Sequence, residues 1–168
     1  MTPDRSRAGR TIGLVPVAGE NPVVLILGSY PSVQSLAQRE YYGNPHNRFW
    51  AIMEQIFGID RSLPYAARTA KLTGCRIALW DVLASCDRKG SADATIRDTV
   101  PNDIAGFLKD HSTVRCIALN GTTAGRYFVR DSCPVPAVVL PSTSPANARL
   151  SPDKKTRIWK DCLAEYLY

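Results

Sequence analysis

Two stretches of the chain hold most of the side chains whose types and spacing can do chemistry. The first, GSYPSVQSLAQREYYGNPHNRFW from Gly28 to Trp50, concentrates glycine, proline, serine and aromatic residues and ends at a predicted helix start. Core patterning does not look like this. Gly28 lets the backbone approach a ligand, Ser29 and Ser32 offer hydroxyls and amides to a phosphate, and Pro31 stiffens the turn. Tyr41, Tyr42, Phe49 and Trp50 supply flat faces on which an extrahelical base can stack. The alternative is that these rings anchor a long loop onto the core. Trp50, on the helix, reads as core; Tyr42 and Phe49, beside Asn47, read as pocket walls. Asn47 itself either caps the following helix or turns its amide toward a cleft.

The second stretch is PSTSPANARLS, Pro141 to Ser151. The hydroxyls of Ser142, Thr143 and Ser144, together with exposed amides, form a candidate phosphate clamp, and Arg149 adds charge nearby. A proline-bounded connection before the last helix is the plain alternative.

The elements that must position these loops alternate. Short, branched, apolar runs at Val23 to Leu27, Arg76 to Trp80, Val114 to Leu119 and Val135 to Leu140 read as buried parallel strands. Between and after them, Asn47 to Phe57, Pro64 to Leu72, Asn102 to Asp110, Thr122 to Tyr127 and Pro152 to Tyr166 read as helices. That alternation predicts an open, mostly parallel four-stranded sheet with helices on both faces. Ligands of such sheets bind beyond the carboxyl ends of the strands, which directs attention to Gly28 to Arg48, Asp81 to Pro101, Asn120 to Gly121 and Pro141 to Ser151.

The chain has 168 residues and a formal net charge of +6, which suits one domain with a surface attractive to polyanions. Residues 1–20 are expected to be a flexible basic arm and residues 21–168 a single domain. Cys75, Cys86, Cys116, Cys133 and Cys162 are scattered, with no CxxC pair and no histidine at zinc-ligand spacing, so they read as reduced thiols and no metal site is expected. No apolar run reaches the length of a membrane span, and the N-terminal charges lack the apolar region of a signal peptide. The expectation is a cytoplasmic monomer with no membrane association.

Taken together, the two loops resemble those of the uracil-DNA glycosylase superfamily, most closely its hypoxanthine-DNA (deoxyinosine) glycosylase branch. The pattern GSxPSxxSLxxxxYYxxPxNxFW is carried by Gly28, Ser29, Pro31, Ser32, Ser35, Leu36, Tyr41, Tyr42, Pro45, Asn47, Phe49 and Trp50. LWDVLASCDRKGSADATIRD from Leu79 to Asp98, LNG from Leu119 to Gly121 and PSTSPAN from Pro141 to Asn147 extend it. The resemblance implies a three-layer α/β/α sandwich that removes a flipped, deaminated base from DNA with no metal or organic cofactor. It implies that Asn47 positions the attacking water and Phe49 stacks on the base. It also implies that Ser142, Thr143, Ser144 and Pro145 grip phosphates and push into the duplex.

Two departures from the uracil-specific pattern bear on mechanism. Tyr30 stands where those enzymes carry a water-activating aspartate, and Ser142 replaces their histidine. Cleavage is still expected, at a modest rate, because an oxocarbenium-like transition state needs charge stabilisation and leaving-group help more than a strong nucleophile. Backbone amides around Gly28 to Tyr30, and Asn120, are expected to support the departing charge. Asp81 is placed to accept the ring N–H of hypoxanthine or uracil; the alternatives are a helix cap or an ion pair with Arg88. Asn147, Arg149 and Leu150 are the wedge candidates, Ala146 being small.

The competing readings are a uracil or G:U/G:T mismatch glycosylase, a serine hydrolase built on Ser29 or Ser32, and a non-catalytic nucleotide-binding module. The hydrolase lacks a GxSxG elbow and has only His46 and His111 to draw on; the module lacks a GxGxxG loop.

Overall fold

The computed structural model describes residues 11–168. Four strands, β1 (Val24–Gly28), β2 (Ile77–Asp81), β5 (Cys116–Asn120) and β6 (Ala137–Leu140), form one sheet in the order β2-β1-β5-β6, and every neighbouring pair is parallel. The alternating side chains of β1 explain the layers, because successive residues of a strand point to opposite faces. Val24 and Ile26 pack with Phe49, Trp50 and Met53 of α2 (Phe49–Phe57), Leu72 of α3 (Tyr65–Gly74) and Trp159 and Leu163 of α6 (Pro152–Leu167). Leu25 and Leu27 pack with Phe107 and Leu108 of α4 (Ile104–Asp110) and Ala124 of α5 (Thr122–Tyr127). The expected three-layer α/β/α sandwich with a parallel four-stranded sheet is what forms.

Three features differ from expectation. A short helix, α1 (Val33–Gln38), folds inside the first loop, with the Ser32 hydroxyl accepting from the Ser35 amide at its start. The second loop is not irregular: β3 (Leu83–Asp87) and β4 (Arg97–Pro101) pair antiparallel in a separate two-stranded sheet, with a 3-10 turn at Asp93–Thr95 between them.

The third concerns the N-terminus. Residues 1–10 of the expected arm lie outside the described residues, but the rest of it is tied to the domain. Val17 bridges antiparallel to Leu79, Gly13 donates to the Ala84 carbonyl at 2.8 Å, and Tyr41 Oη donates to the Val15 carbonyl at 2.7 Å. The arm boundary at residue 20 is therefore corrected: from Gly13 onward the segment satisfies backbone and hydroxyl groups of the core, which a free arm would leave unpaired.

All five cysteines are free, with Cys86 and Cys116 buried. Among the described residues no cluster of His, Cys, Asp or Glu could hold a metal ion, and no helix is long and apolar enough to cross a membrane.

Candidate active site

The parallel register brings the carboxyl ends of the strands level: Gly28 pairs with Asp81, and Asn120 with Leu140. Above these ends lies a cleft of about 230 Å³. That is smaller than the roughly 300–1,000 Å³ usual for drug-sized ligands, and it suits a single nucleobase.

Its floor begins with Gly28. A Cβ at this position would sit 2.6 Å from Asp81 Oδ1, so any side chain here would force the neighbouring carboxyl group to shift. Asp81 is 4% exposed, and its Oδ2 is buried with no hydrogen-bond partner. Burial pushes its pKa up to about 7, against the lowering effect of the Arg88 guanidinium and with a further upward push from Asp93. Neither alternative for Asp81 forms. The carboxylate that pairs with Arg88 is Asp93, at 3.8 Å, and the group that Asn102 holds on Asp81 is its backbone carbonyl.

Asn120 forms the other side of the floor, with every polar atom of its side chain engaged. Nδ2 donates to Tyr42 Oη at 3.2 Å and to Thr143 Oγ1 at 3.0 Å, while Oδ1 accepts from the Thr143 amide at 3.0 Å. Asn120 therefore ties the two loops together rather than offering a free group to a departing base.

The first loop supplies a wall. Tyr42 has φ +57°, a left-handed conformation that costs a bulky residue energy and is retained where the surroundings fix it. This turns its ring onto Phe49, with centroids 4.0 Å apart and planes at 23°. Phe49 is 0% exposed and does not line the cleft. The expectation that Phe49 stacks on the base is corrected here: Tyr42 lies over it and presents the aromatic face, and Phe49 is core.

Asn47 lines the cleft, and its Oδ1 accepts from the Phe49 amide at 2.9 Å. The N-cap position of α2 is Arg48, so Asn47 stands one residue before it and closes a local turn with its oxygen, a bond that does not use its NH₂ group. Ser29, Tyr30 and Ser32 also line the cleft. Ser29 Oγ donates to Asp93 at 3.1 Å, and the Tyr30 ring lies under the Arg88 guanidinium, 4.9 Å from its centroid.

The serine-proline loop closes the opposite side. Ser142, Thr143, Ser144 and Pro145 line the cleft. The Ser144 amide donates to Ser142 Oγ at 3.1 Å, and the Arg48 amide donates to the Thr143 carbonyl at 2.9 Å. Gly121 has φ +97°, and a Cβ there would meet the Ser142 side chain at 2.9 Å. Asn147 lies instead in an adjoining groove with His46, Arg48 and Lys155, and the exposed Arg149 lines neither cavity.

Residues to which the sequence reading gave no part in the cleft, Arg88 having been named only as a partner for Asp81, complete the site. Arg88 clamps the first loop, donating to the Pro31 carbonyl at 2.6 Å and the Tyr30 carbonyl at 3.4 Å, and Ser91 and Asp93 of the same hairpin reach the cleft. Lys155 is 3% exposed and donates to the carbonyls of Ser142 and Asn147, bracing both ends of the serine-proline loop. In the sequence Lys155 stands in a polar stretch, PDKKTRIW, where a lysine reads as solvated.

With this geometry, comparison with known proteins is decisive. The sequence profile of the uracil DNA glycosylase superfamily matches residues 16–163. The chain belongs to this superfamily. It is 37% identical over 146 residues to a protein of Methanosarcina acetivorans named hypoxanthine DNA glycosylase, covering 86% of this chain and 92% of that one. A Methanosarcina barkeri protein of the same name is 35% identical over 147 residues, with the same coverage. Among solved structures, the solution NMR structure of a candidate uracil DNA glycosylase from Methanosarcina acetivorans superposes with a TM-score of 0.79 at 34% identity, covering 92% of this chain and 99% of that one.

The serine hydrolase reading finds no support in the superfamily member's cleft. His111 stacks on Phe107 at the end of α4, and His46 lies in the adjoining groove, so no histidine lines the cleft beside Ser29 or Ser32.

Proposed function

We propose that this chain is a monofunctional DNA glycosylase that hydrolyses the N-glycosidic bond of hypoxanthine in DNA. The observation that carries the reading is that Asn47 and the Ser142–Pro145 loop, far apart in sequence, line one cleft of nucleobase size at the carboxyl ends of the strands. The names of the two Methanosarcina relatives support hypoxanthine as the base.

The lesion nucleotide swings out of the duplex and its base enters between Tyr42 and the serine-proline loop, where stacking on the tyrosine replaces stacking in the helix. The Ser142 and Ser144 hydroxyls hold the flanking phosphates from the serine-proline loop, and Ser32 borders the cleft from the first loop. Thr143, 1% exposed and bonded to Asn120, fixes the loop's shape rather than meeting a phosphate. Asn147 and Arg149, outside the cleft, face the duplex around the lesion. The Asn47 NH₂ group donates to the oxygen of a water and fixes it beside C1′. The C1′–N9 bond breaks with its electron pair leaving on the base, the water oxygen bonds to C1′, and its proton passes to solvent. Asn47 does not take that proton, because a carboxamide is too weak a base, and its oxygen already accepts from the Phe49 amide. The water is therefore captured by a positively charged sugar rather than driven into a neutral one, consistent with Tyr30 at the position where a base would stand.

The test is a panel of duplex oligonucleotides carrying hypoxanthine, uracil, xanthine or a G:T mismatch, incubated with protein and then cut at abasic sites with alkali. Alkali-dependent cleavage of the hypoxanthine strand is expected at the highest rate. No cleavage above background on any of them would remove the reading.

A further inference from the structure

We propose that Arg88 is the charge-stabilising residue for base release: its buried guanidinium, fixed at the base end of the cleft, offsets the negative charge that a purine takes on as the C1′–N9 bond breaks. The inference rests on the glycosylase reading above and adds to it the group that helps the base depart.

When that bond breaks, its electron pair ends on the base, spread over the ring nitrogens and O6. The anion then takes a proton from water to become free hypoxanthine. Most polar groups of the cleft are unable to oppose the charge. The Asn120 amide is spent on Tyr42 and Thr143, and the Ser29 hydroxyl on Asp93. Asp81 and Asp93 have the wrong sign. Among the described residues that line the cleft, Arg88 is the one cation; Arg48 and Lys155 line the adjoining groove instead.

The guanidinium is held without being neutralised. Its Nε donates to the Gly90 carbonyl at 2.8 Å, and its terminal nitrogens donate to the carbonyls of Pro31 at 2.6 Å and Tyr30 at 3.4 Å. The Tyr30 ring, 4.9 Å away, offers the cation a π face rather than a charge. Asp93 comes no closer than 3.8 Å and is half-exposed, so solvent screens that pair, whereas the Arg88 side chain is buried. Burial raises the pKa of Asp81 and Arg88 lowers it, so the guanidinium acts electrostatically on the cleft floor, where the base sits. A charge fixed in place and withdrawn from water needs no rearrangement when the transition state forms. Without it, the ionisable groups left in the cleft besides tyrosines are two carboxyl groups, which oppose a departing anion.

A purely mechanical role, clamping the first loop, makes a different prediction, and the leaving group separates the two. 8-Azahypoxanthine has the size of hypoxanthine and the same N1–H and O6 edge, but its extra ring nitrogen makes it the better leaving group. It therefore needs less help from a cation in the transition state. A loosened loop slows both bases alike.

The test is single-turnover release of hypoxanthine and of 8-azahypoxanthine from saturated duplex by wild type, Arg88→Met, Arg88→Lys and Asp93→Asn. Arg88→Met should slow hypoxanthine release about 10²-fold, as loss of one preorganised group at a developing charge does, and 8-azahypoxanthine release about tenfold or less. Arg88→Lys keeps the charge but not the planar fork that reaches the carbonyls, and should recover part of the loss on hypoxanthine. Asp93→Asn leaves the guanidinium charge less offset while its amide oxygen still accepts from Ser29. It should quicken hypoxanthine release about two- to fivefold, and it reads the same claim should Arg88→Met fail to fold. Equal slowing of the two bases by Arg88→Met would overturn the inference, as would unchanged or slower hypoxanthine release by Asp93→Asn. A wild-type protein that releases neither base fails the glycosylase reading itself and the inference with it.

Discussion

The ring of Tyr42 lies stacked on that of Phe49, 4.0 Å between centroids, and only the tyrosine reaches the cleft. The two neighbouring aromatics therefore divide the work. Tyr42→Ala should leave the fold intact and weaken hypoxanthine excision by the roughly 1–3 kcal/mol that one base–aromatic stack is worth, measured as kcat/KM. Phe49→Ala should instead destabilise the protein by about 3–5 kcal/mol, seen in denaturant unfolding, because it empties a fully enclosed core position. Equal stability of the two variants would contradict this division.

Asp81 predicts a trade of stability for function. Its pKa is raised from 3.8 to about 7, so between those values the folded protein holds a proton that the unfolded chain has released. Stability thus falls as pH rises through that window and is flat above it. Asp81→Asn removes the cost of burying the charge. Its stability relative to wild type should be near zero at pH 4 and grow to on the order of a few kcal/mol at pH 8, read from urea midpoints at each pH. A constant difference across the range would show that Asp81 is not a strained, buried acid.

Lys155 holds the serine-proline loop from beneath through the carbonyls of Ser142 and Asn147. Lys155→Met keeps the buried stem and leaves both carbonyls without that donor, each at a cost of about 1–3 kcal/mol. Amide exchange across residues 142–147 should accelerate, and affinity for lesion duplex should weaken about tenfold. Exchange at the wild-type rate would show that the loop holds its shape without the lysine.

The sheet and its helices were legible in the sequence because buried parallel strands are continuous apolar runs and the helices between them carry an amphipathic period. The strands at Val24–Gly28 and Ile77–Asp81 differ from expectation by a residue at each end. The β3–β4 hairpin was not legible: LASCD and RDTVP are short, mixed in polarity and, in β4, mostly exposed, so neither shows a strand period. The cleft was legible as two loops, since the topology puts their starting points side by side.

Which aromatic faces the ligand was not. Tyr42 and Phe49 have similar composition cues, and the choice is made by the left-handed backbone of Tyr42 and its bond to Asn120, a residue 78 positions away. Arg88, Asp93 and Lys155 escaped for the same reason: a charged residue in a polar stretch reads as solvated, and only the packed fold reveals that the Arg88 and Lys155 side chains are buried on carbonyls of the catalytic loops.

The central claim is that Asn47, held by its bond to the Phe49 amide at the edge of the cleft, directs water to the sugar of an extruded hypoxanthine nucleotide. Single-turnover excision by Asn47→Ala, run beside a binding titration with the same duplex, tests it most directly. The account predicts a rate at least about 10²-fold below wild type, the usual loss for one preorganised polar group at a reacting centre, with affinity for the lesion duplex changed by no more than a few fold. A variant that releases hypoxanthine at close to the wild-type rate would contradict it.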